Sequence, residues 1–401
     1  MKKIAYSLFI LLVAVSCDVK KSNVSPDYNF VKVFDNTDLT VSYYPVDAME
    51  TADGGFIVLS ALDATQNTNF PAVHVLKTDQ NGNMAWEATA DAGYVSPVPG
   101  LMNTGNSIQF FCMDDNSFKA KLMTINDNGS TGTISEAGGT NDSYPLAAYY
   151  SNSANRIVLL SYDGIGMNTV ISSYDKNLSG SFRISTSTNK DFSYEIFQHL
   201  KKQHTPFPFF IRDFVSNGNT FYAVNALSNY TLSLLFVDQS TGSITGRLNG
   251  YQESGGISAV HYLGGDTFAI AASQFNTGNV FIGPDISIDD HATQNVSDLQ
   301  PLAFPELKAD APVKMLEDKF NDKAMIVYAA TTKTDQIALY FYDKTTFELQ
   351  KTKYLGHTNP VELAALFRTS DGGLAVAGKT WVAGRYQRII LYKLALEELG
   401  L

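Results

Sequence analysis

The sequence predicts an all-β fold: a seven-bladed β-propeller of four-stranded antiparallel blades, its ring closed by the N-terminal strand in the last blade. Three observations predict it. The turn Asp53-Gly54-Gly55, followed by the apolar run Phe56-Ile57-Val58-Leu59, returns near the other end as Asp371-Gly372-Gly373 followed by Leu374-Ala375-Val376-Ala377. Matched copies at the two ends of a chain imply a repeat architecture. Turn-forming triplets recur between them at a spacing of about fifty residues. The last copy has no fourth strand, while the alternating run Tyr28 to Phe34 stands before the first copy without a partner.

At the amino terminus, Lys2 and Lys3 precede an apolar run from Ile4 to Val15. That run is too short to span a bilayer as a mature helix, so residues 1–16 read as a signal peptide. Ala14-Val15-Ser16-Cys17 resembles a bacterial lipobox, in which a small residue precedes a cysteine that is acylated and becomes the new first residue. The resemblance implies a lipid anchor at Cys17 and a membrane as partner. An ordinary secreted protein with an incidental cysteine is the alternative. Residues 17–27 are polar and unpatterned and read as a tether, and residues 28–401 as a single domain.

Within that domain, Thr104-Gly105-Asn106, Ser153-Ala154-Asn155, Asn217-Gly218-Asn219, Leu263-Gly264-Gly265 and Phe320-Asn321-Asp322 each precede an apolar run, as the two Asp-Gly-Gly turns do. Gly and Asn suit two-residue hairpin turns, which need positive φ. A second set of turns, such as Asp79-Gln80-Asn81-Gly82 and Asp343-Lys344-Thr345-Thr346, follows the third strand of most units. Repeated antiparallel sheets with exposed edges are accommodated by closure into a ring; a solenoid of the same strands is the alternative. Insertions near 189–207 and 284–311 break the period. The first carries helical spacing over Asp191 to Lys202 before Pro206 and Pro208 stop it. Both are expected between the last strand of one unit and the first of the next. Long loops on one face and short turns on the other point to the long-loop face as functional.

With 29 Lys and Arg against 40 Asp and Glu, the chain carries a formal charge of −11 and no basic stripe, which argues against a nucleic-acid partner. Besides Cys17 there is one cysteine, Cys112, in the apolar run Ile108 to Met113, where it reads as a small buried residue. We find no Gly-x-Ser-x-Gly elbow, no His-Glu-x-x-His helix and no phosphate-binding glycine loop, and no cofactor or catalytic residue is assigned. His199 and His204 are spaced poorly for one helical face. Asp285, Asp289, Asp290 and His291 could surround a cation but read as a solvated acidic loop, so no metal is assigned either. Trp86 reads as a packing residue in a fourth strand. Trp381, Arg385 and Tyr386 lie in a loop of the functional face, and Tyr230 occupies the corresponding loop of the fourth unit. Indole, phenol and guanidinium groups suit stacking against a sugar ring with hydrogen bonds to its hydroxyls, and these four are the candidate ligand-binding residues.

Asp53 to Ser60 together with Val75 to Trp86 resembles the propeller repeats common in exported proteins of Bacteroidetes-type bacteria. The resemblance is clear in the first and last units, while the middle units share turn positions and strand rhythm. It implies a lipoprotein of the cell envelope, surface or periplasmic, of a kind in some cases associated with glycan uptake. The expected function is a binding or scaffolding module for a glycan, a peptide or an envelope protein. The alternative is a propeller enzyme acting on polysaccharide, as a lyase or glycoside hydrolase; it would gather two carboxylates or a His-carboxylate pair in one concave site.

Overall fold

The computed structural model of the chain describes residues 29–35, 40–64, 69–105, 107–202, 207–251, 255–274, 277–309, 313–356, 358–382 and 385–401. The leader, the tether and Cys17 lie outside the described residues, as do His204 and Pro206.

The described chain is almost entirely antiparallel β structure, and adjacent strands are joined by the turns expected. In the Asp-Gly-Gly turns the two glycines do different things. The first adopts positive φ, +77° at Gly54 and +89° at Gly372. The second makes room for a neighbouring backbone: a Cβ would fall 2.1 Å from the Thr78 carbonyl oxygen at Gly55, and 2.3 Å from that of Leu394 at Gly373.

The strands do not assemble as seven separate four-stranded blades. Five sheets each carry one four-stranded antiparallel blade: residues 145–187, 210–249, 255–303, 314–355, and 361–394 completed by Phe30–Phe34. Residues 41–143, read as two further blades, form one continuous nine-stranded sheet instead. The short strand Tyr94–Val95 fuses them, because Val95 pairs with Ala72 of the first unit and with Met113 of the second. The inner strand of the second unit is reduced to Met102–Asn103, after Pro97 and Pro99, which have no N–H to give a ladder.

From Met102–Asn103 onward the innermost strands touch in chain order, Asp47 of Val41–Glu50 accepts from the N–H groups of Gly100 and Leu101 just ahead of Met102, and Val361–Arg368 touches Val41–Glu50, so the sheets close into a ring around a central channel. Phe30–Phe34 seals it by pairing antiparallel with Tyr386–Leu394, Phe30 opposite Lys393 and Val33 opposite Ile390. The apolar core is divided among the spaces between neighbouring sheets. Phe56, Val58, Ala377 and Leu391 fill one such space, and Leu339, Phe341, Val376 and Ile390 another.

The first insertion forms the helix Ser193–Leu200, two residues shorter at each end than its pattern suggested, and buries Ile196, His199 and Leu200 in a cluster shared by the nine-stranded sheet and the 145–187 and 210–249 blades. The second differs from expectation. Residues 284–287 belong to the third strand of their blade, Asn279–Ser287, and the outer strand is the two-residue Leu302–Ala303. The insertion thus lies between third and outer strands, and Ile288 N–H donates to the carbonyl of Asp266 in a short turn. That places Asp289, Asp290 and His291 on the short-turn face, opposite the long connections. On the way Thr293–Asn295 pairs in parallel with Ile244–Asn249 of the preceding blade.

Candidate functional site

Trp381 and Tyr386 flank the tip of the hairpin formed by Leu374–Val382 and Tyr386–Leu394. Trp381 pairs with Gln387 and Val382 with Tyr386. Paired residues share a face and neighbours alternate, so the two aromatic rings leave opposite faces of the hairpin. They do not form one shelf. Trp381 instead shares its surroundings with Tyr44 of the neighbouring sheet: the Lys379 ammonium lies 5.3 Å from the Trp381 ring centroid and 5.4 Å from that of Tyr44. Lys379 is held by Glu362 at 2.9 Å, and Glu362 also receives Lys308 at 3.3 Å. Two half-exposed rings with an ammonium between them and carboxylates behind it offer both stacking and hydrogen bonding. Burial and the nearby Asp63 carboxylate raise the Tyr44 phenol above its ordinary value, so it donates as a neutral hydroxyl at neutral pH.

On the other face of the hairpin, Tyr386 lies 5.8 Å from the guanidinium of Arg388, which is fully buried. Arg385 is exposed. Tyr230 is distant from both, on a blade across the ring. It sits with Asn229 in a tight turn at positive φ, 70° and 50°, and lines a small cavity of about 140 Å³ with Lys190, Phe192, Phe207 and Leu232. The four candidate residues therefore fall in three places. Tyr44, Lys379 and Glu362 carry no local motif, and it is ring closure that brings Tyr44 to the last blade.

A second polar group lines the channel. His261 Nε2 lies 2.7 Å from Glu317 Oε2, and the Lys344 ammonium donates to the other oxygen of Glu317 at 2.6 Å. Burial lowers the His261 pKa against the pull of Glu317, so the imidazole is neutral at neutral pH. Burial would raise Glu317, but the hydrogen bonds from Lys344 and His261 outweigh it and keep the carboxylate ionised. No sequence pattern links these three, which come from two sheets.

Other polar contacts tie elements of the fold together. Trp86 is buried and donates to Asp127 at 3.0 Å, as a packing residue would. His199 Nδ1 accepts from the Phe207 N–H at 3.1 Å, and burial drives its pKa well below the ordinary value. Asp289, Asp290 and His291 bring one ligand atom each within 4.8 Å of one another, but Asp290 is already hydrogen-bonded to His291 at 2.6 Å. Cys112 is fully buried, and burial pushes its thiol far above the usual range. A cleft of about 480 Å³ opens between the nine-stranded sheet and the 145–187 blade, where buried Asp142 accepts from Arg183 at 2.9 Å and Tyr174 at 2.6 Å. Among the described residues, no helix is long and apolar enough to cross a membrane.

No family model matches the sequence, and no curated protein matches it. Solved structures that resemble the chain include three that it covers almost end to end. The β-propeller domain of the Trilobed protease from Pyrococcus furiosus is 7% identical, with 88% of this chain and 95% of that one covered at a TM-score of 0.46. The Dos1 propeller is 10% identical, with 91% and 95% covered at 0.48. A catalytically inactive virginiamycin B lyase from Staphylococcus aureus with quinupristin is 9% identical, with 91% and 99% covered at 0.46. At 7–10% identity these are likenesses of fold alone.

Proposed function

We propose that this propeller is a binding module of the cell envelope, anchored through Cys17, that presents its long-loop face to a glycan, a peptide or a partner protein. The observation that supports it is the Trp381–Lys379–Tyr44 cluster, where two partly exposed rings flank one ammonium on that face. Such rings stack on the apolar side of a sugar or a peptide side chain, while Lys379 and Glu362 supply hydrogen bonds. The soluble chain starting near Ser25, applied to an array of polysaccharides and envelope proteins, is expected to retain a ligand. Trp381→Ala should weaken that ligand by about tenfold or more, the scale of a lost aromatic anchor. Undiminished affinity would remove this site from consideration.

One observation favours a second reading, an enzyme acting on polysaccharide: the neutral His261 imidazole against the ionised Glu317 in the channel. A positioned base beside a carboxylate is what proton abstraction requires. Product analysis on each retained polysaccharide separates the two readings. Cleavage that disappears in His261→Ala but survives Trp381→Ala supports the enzyme, and binding without cleavage supports the module.

A further inference from the structure

Near the long-loop mouth of the channel stand two cations that make no salt bridge. Lys314 opens the inner strand Lys314–Phe320, and Arg212 lies near the start of the inner strand Phe210–Ser216 two blades away along the ring. Neither has an ion-pair or hydrogen-bond partner among the described residues; Arg212 rests over the ring of Tyr149, 5.9 Å from its centroid. The two are near enough to act on each other electrostatically. Asp47, on the inner strand Val41–Glu50, also acts on Lys314, but its carboxylate is engaged by backbone: Oδ1 accepts from Ala48 N–H, and Oδ2 from Gly100 and Leu101 N–H, each at 2.9 Å.

In a chain with 40 carboxylates against 29 Lys and Arg, two cations at one mouth with no salt bridge, and with only the already engaged Asp47 carboxylate acting on Lys314, are unexpected if the channel mouth serves folding alone. Like charges held together in a confined space oppose each other and the burial of either. Lys314 shows this: protein surrounds its ammonium, yet the side chain keeps contact with solvent, and burial lowers its pKa. Farther along the inner strands, Glu317 would repel an anion and so limit how far it enters.

We propose that the mouth of the central channel is an oxyanion site, in which Lys314 and Arg212 together hold a carboxylate, phosphate or sulfate group of a ligand. Arg212 offers a planar pair of donors and Lys314 a point charge, a combination suited to an oxygen pair that neither group could hold alone. Asp47 and its three N–H donors fix the wall between the first two units, so the anion meets a preformed mouth.

The test is titration of the folded chain, by calorimetry and by NMR shifts of the Lys314 side chain, with inorganic phosphate, sulfate and galacturonate, and with galactose as neutral control. At least one of the anions is expected to bind, galactose is not, and preference among the anions identifies whether a phosphate, a sulfate or a carboxylated sugar is the natural group. Lys314→Met and Arg212→Gln should each weaken binding by about tenfold or more, while Lys314→Arg retains it. Lys32→Met, at a lysine of the outermost strand Phe30–Phe34, should leave it unchanged, which separates this site from general surface charge. No anion binding at about 10 mM, or equal binding by Lys314→Met and Arg212→Gln, would overturn the proposal. If Lys314→Met fails to fold, Arg212→Gln and the wild-type Lys314 shifts decide it.

Discussion

Asp53→Ala is expected to destabilise the protein by about 3–5 kcal/mol, far more than a typical surface carboxylate would. The Asp53 side chain is half exposed, but its partner is not: the Lys77 ammonium, 1% exposed, donates to Asp53 at 3.0 and 2.8 Å and to the Thr78 carbonyl at 2.8 Å. Removing the carboxylate leaves a buried cation with one carbonyl for company. The double variant Asp53→Ala/Lys77→Met should recover most of the loss, because it removes the cation as well. Asp371 repeats the arrangement with Lys393 at 2.7 Å, Thr369 and the Gly373 N–H, so Asp371→Ala should behave alike. The turn motif at the two ends of the chain is therefore a staple from the first turn of a blade to its third strand.

The same contact sets an acid dependence. Burial would raise Asp53, but hydrogen bonds from Lys77, Thr51 and the Gly55 N–H outweigh it and hold the carboxyl at about 2. A carboxyl held below its unfolded value stabilises the fold at pH above the ordinary carboxylate range, and that contribution fades as pH falls toward 2. Denaturant unfolding of wild type and Asp53→Asn should thus differ at pH 6 and converge near about pH 2. Equal stabilities at neutral pH would contradict the assignment.

Removing Phe30–Phe34 is the second large effect. A chain beginning at Thr40 should lose stability on the order of 5 kcal/mol relative to one beginning at Tyr28, which is comparable to the whole stability of many domains. Phe30 stands edge-on to Phe56, 5.9 Å between centroids, and Phe34 packs on the same cluster. Asp35 accepts from Arg388 Nε at 2.6 Å. Its loss takes the carboxylate from the fully buried guanidinium, which also donates to the carbonyls of Val41 and Gln387. The edge of Tyr386–Leu394 would also be bared, inviting association through strand pairing. A lower denaturation midpoint with concentration-dependent association is the expected result, and an unchanged midpoint would count against closure.

Much of this architecture was legible because its determinants are local. Two glycines in a row after Asp53 and Asp371, alternation in Phe30 to Phe34, and helical spacing ahead of Pro206 each act within a few residues. The blade count was not legible. Fusion of the first two units depends on Val95 pairing with Ala72 and Met113 at once, a long-range contact of a two-residue strand that leaves no periodicity. The outer strand Leu302–Ala303 escaped for the same reason. At the site, the sequence put Trp381 and Tyr386 together in one loop, whereas both lie in the strands of a hairpin whose register sends them to opposite faces. Its association with Tyr44, like that of Lys314 with Arg212, exists only through the ring.

Channel, long-loop face and both proposed sites therefore require that Phe30–Phe34 join the two ends of the chain. Native-state hydrogen exchange measures this directly. The amides of Phe30–Phe34 and of Tyr386–Leu394 that bond across the shared ladder should exchange together and slowly, through global unfolding. Rapid exchange of Phe30–Phe34 while Leu374–Val382 stays protected would show an open ring and contradict the account.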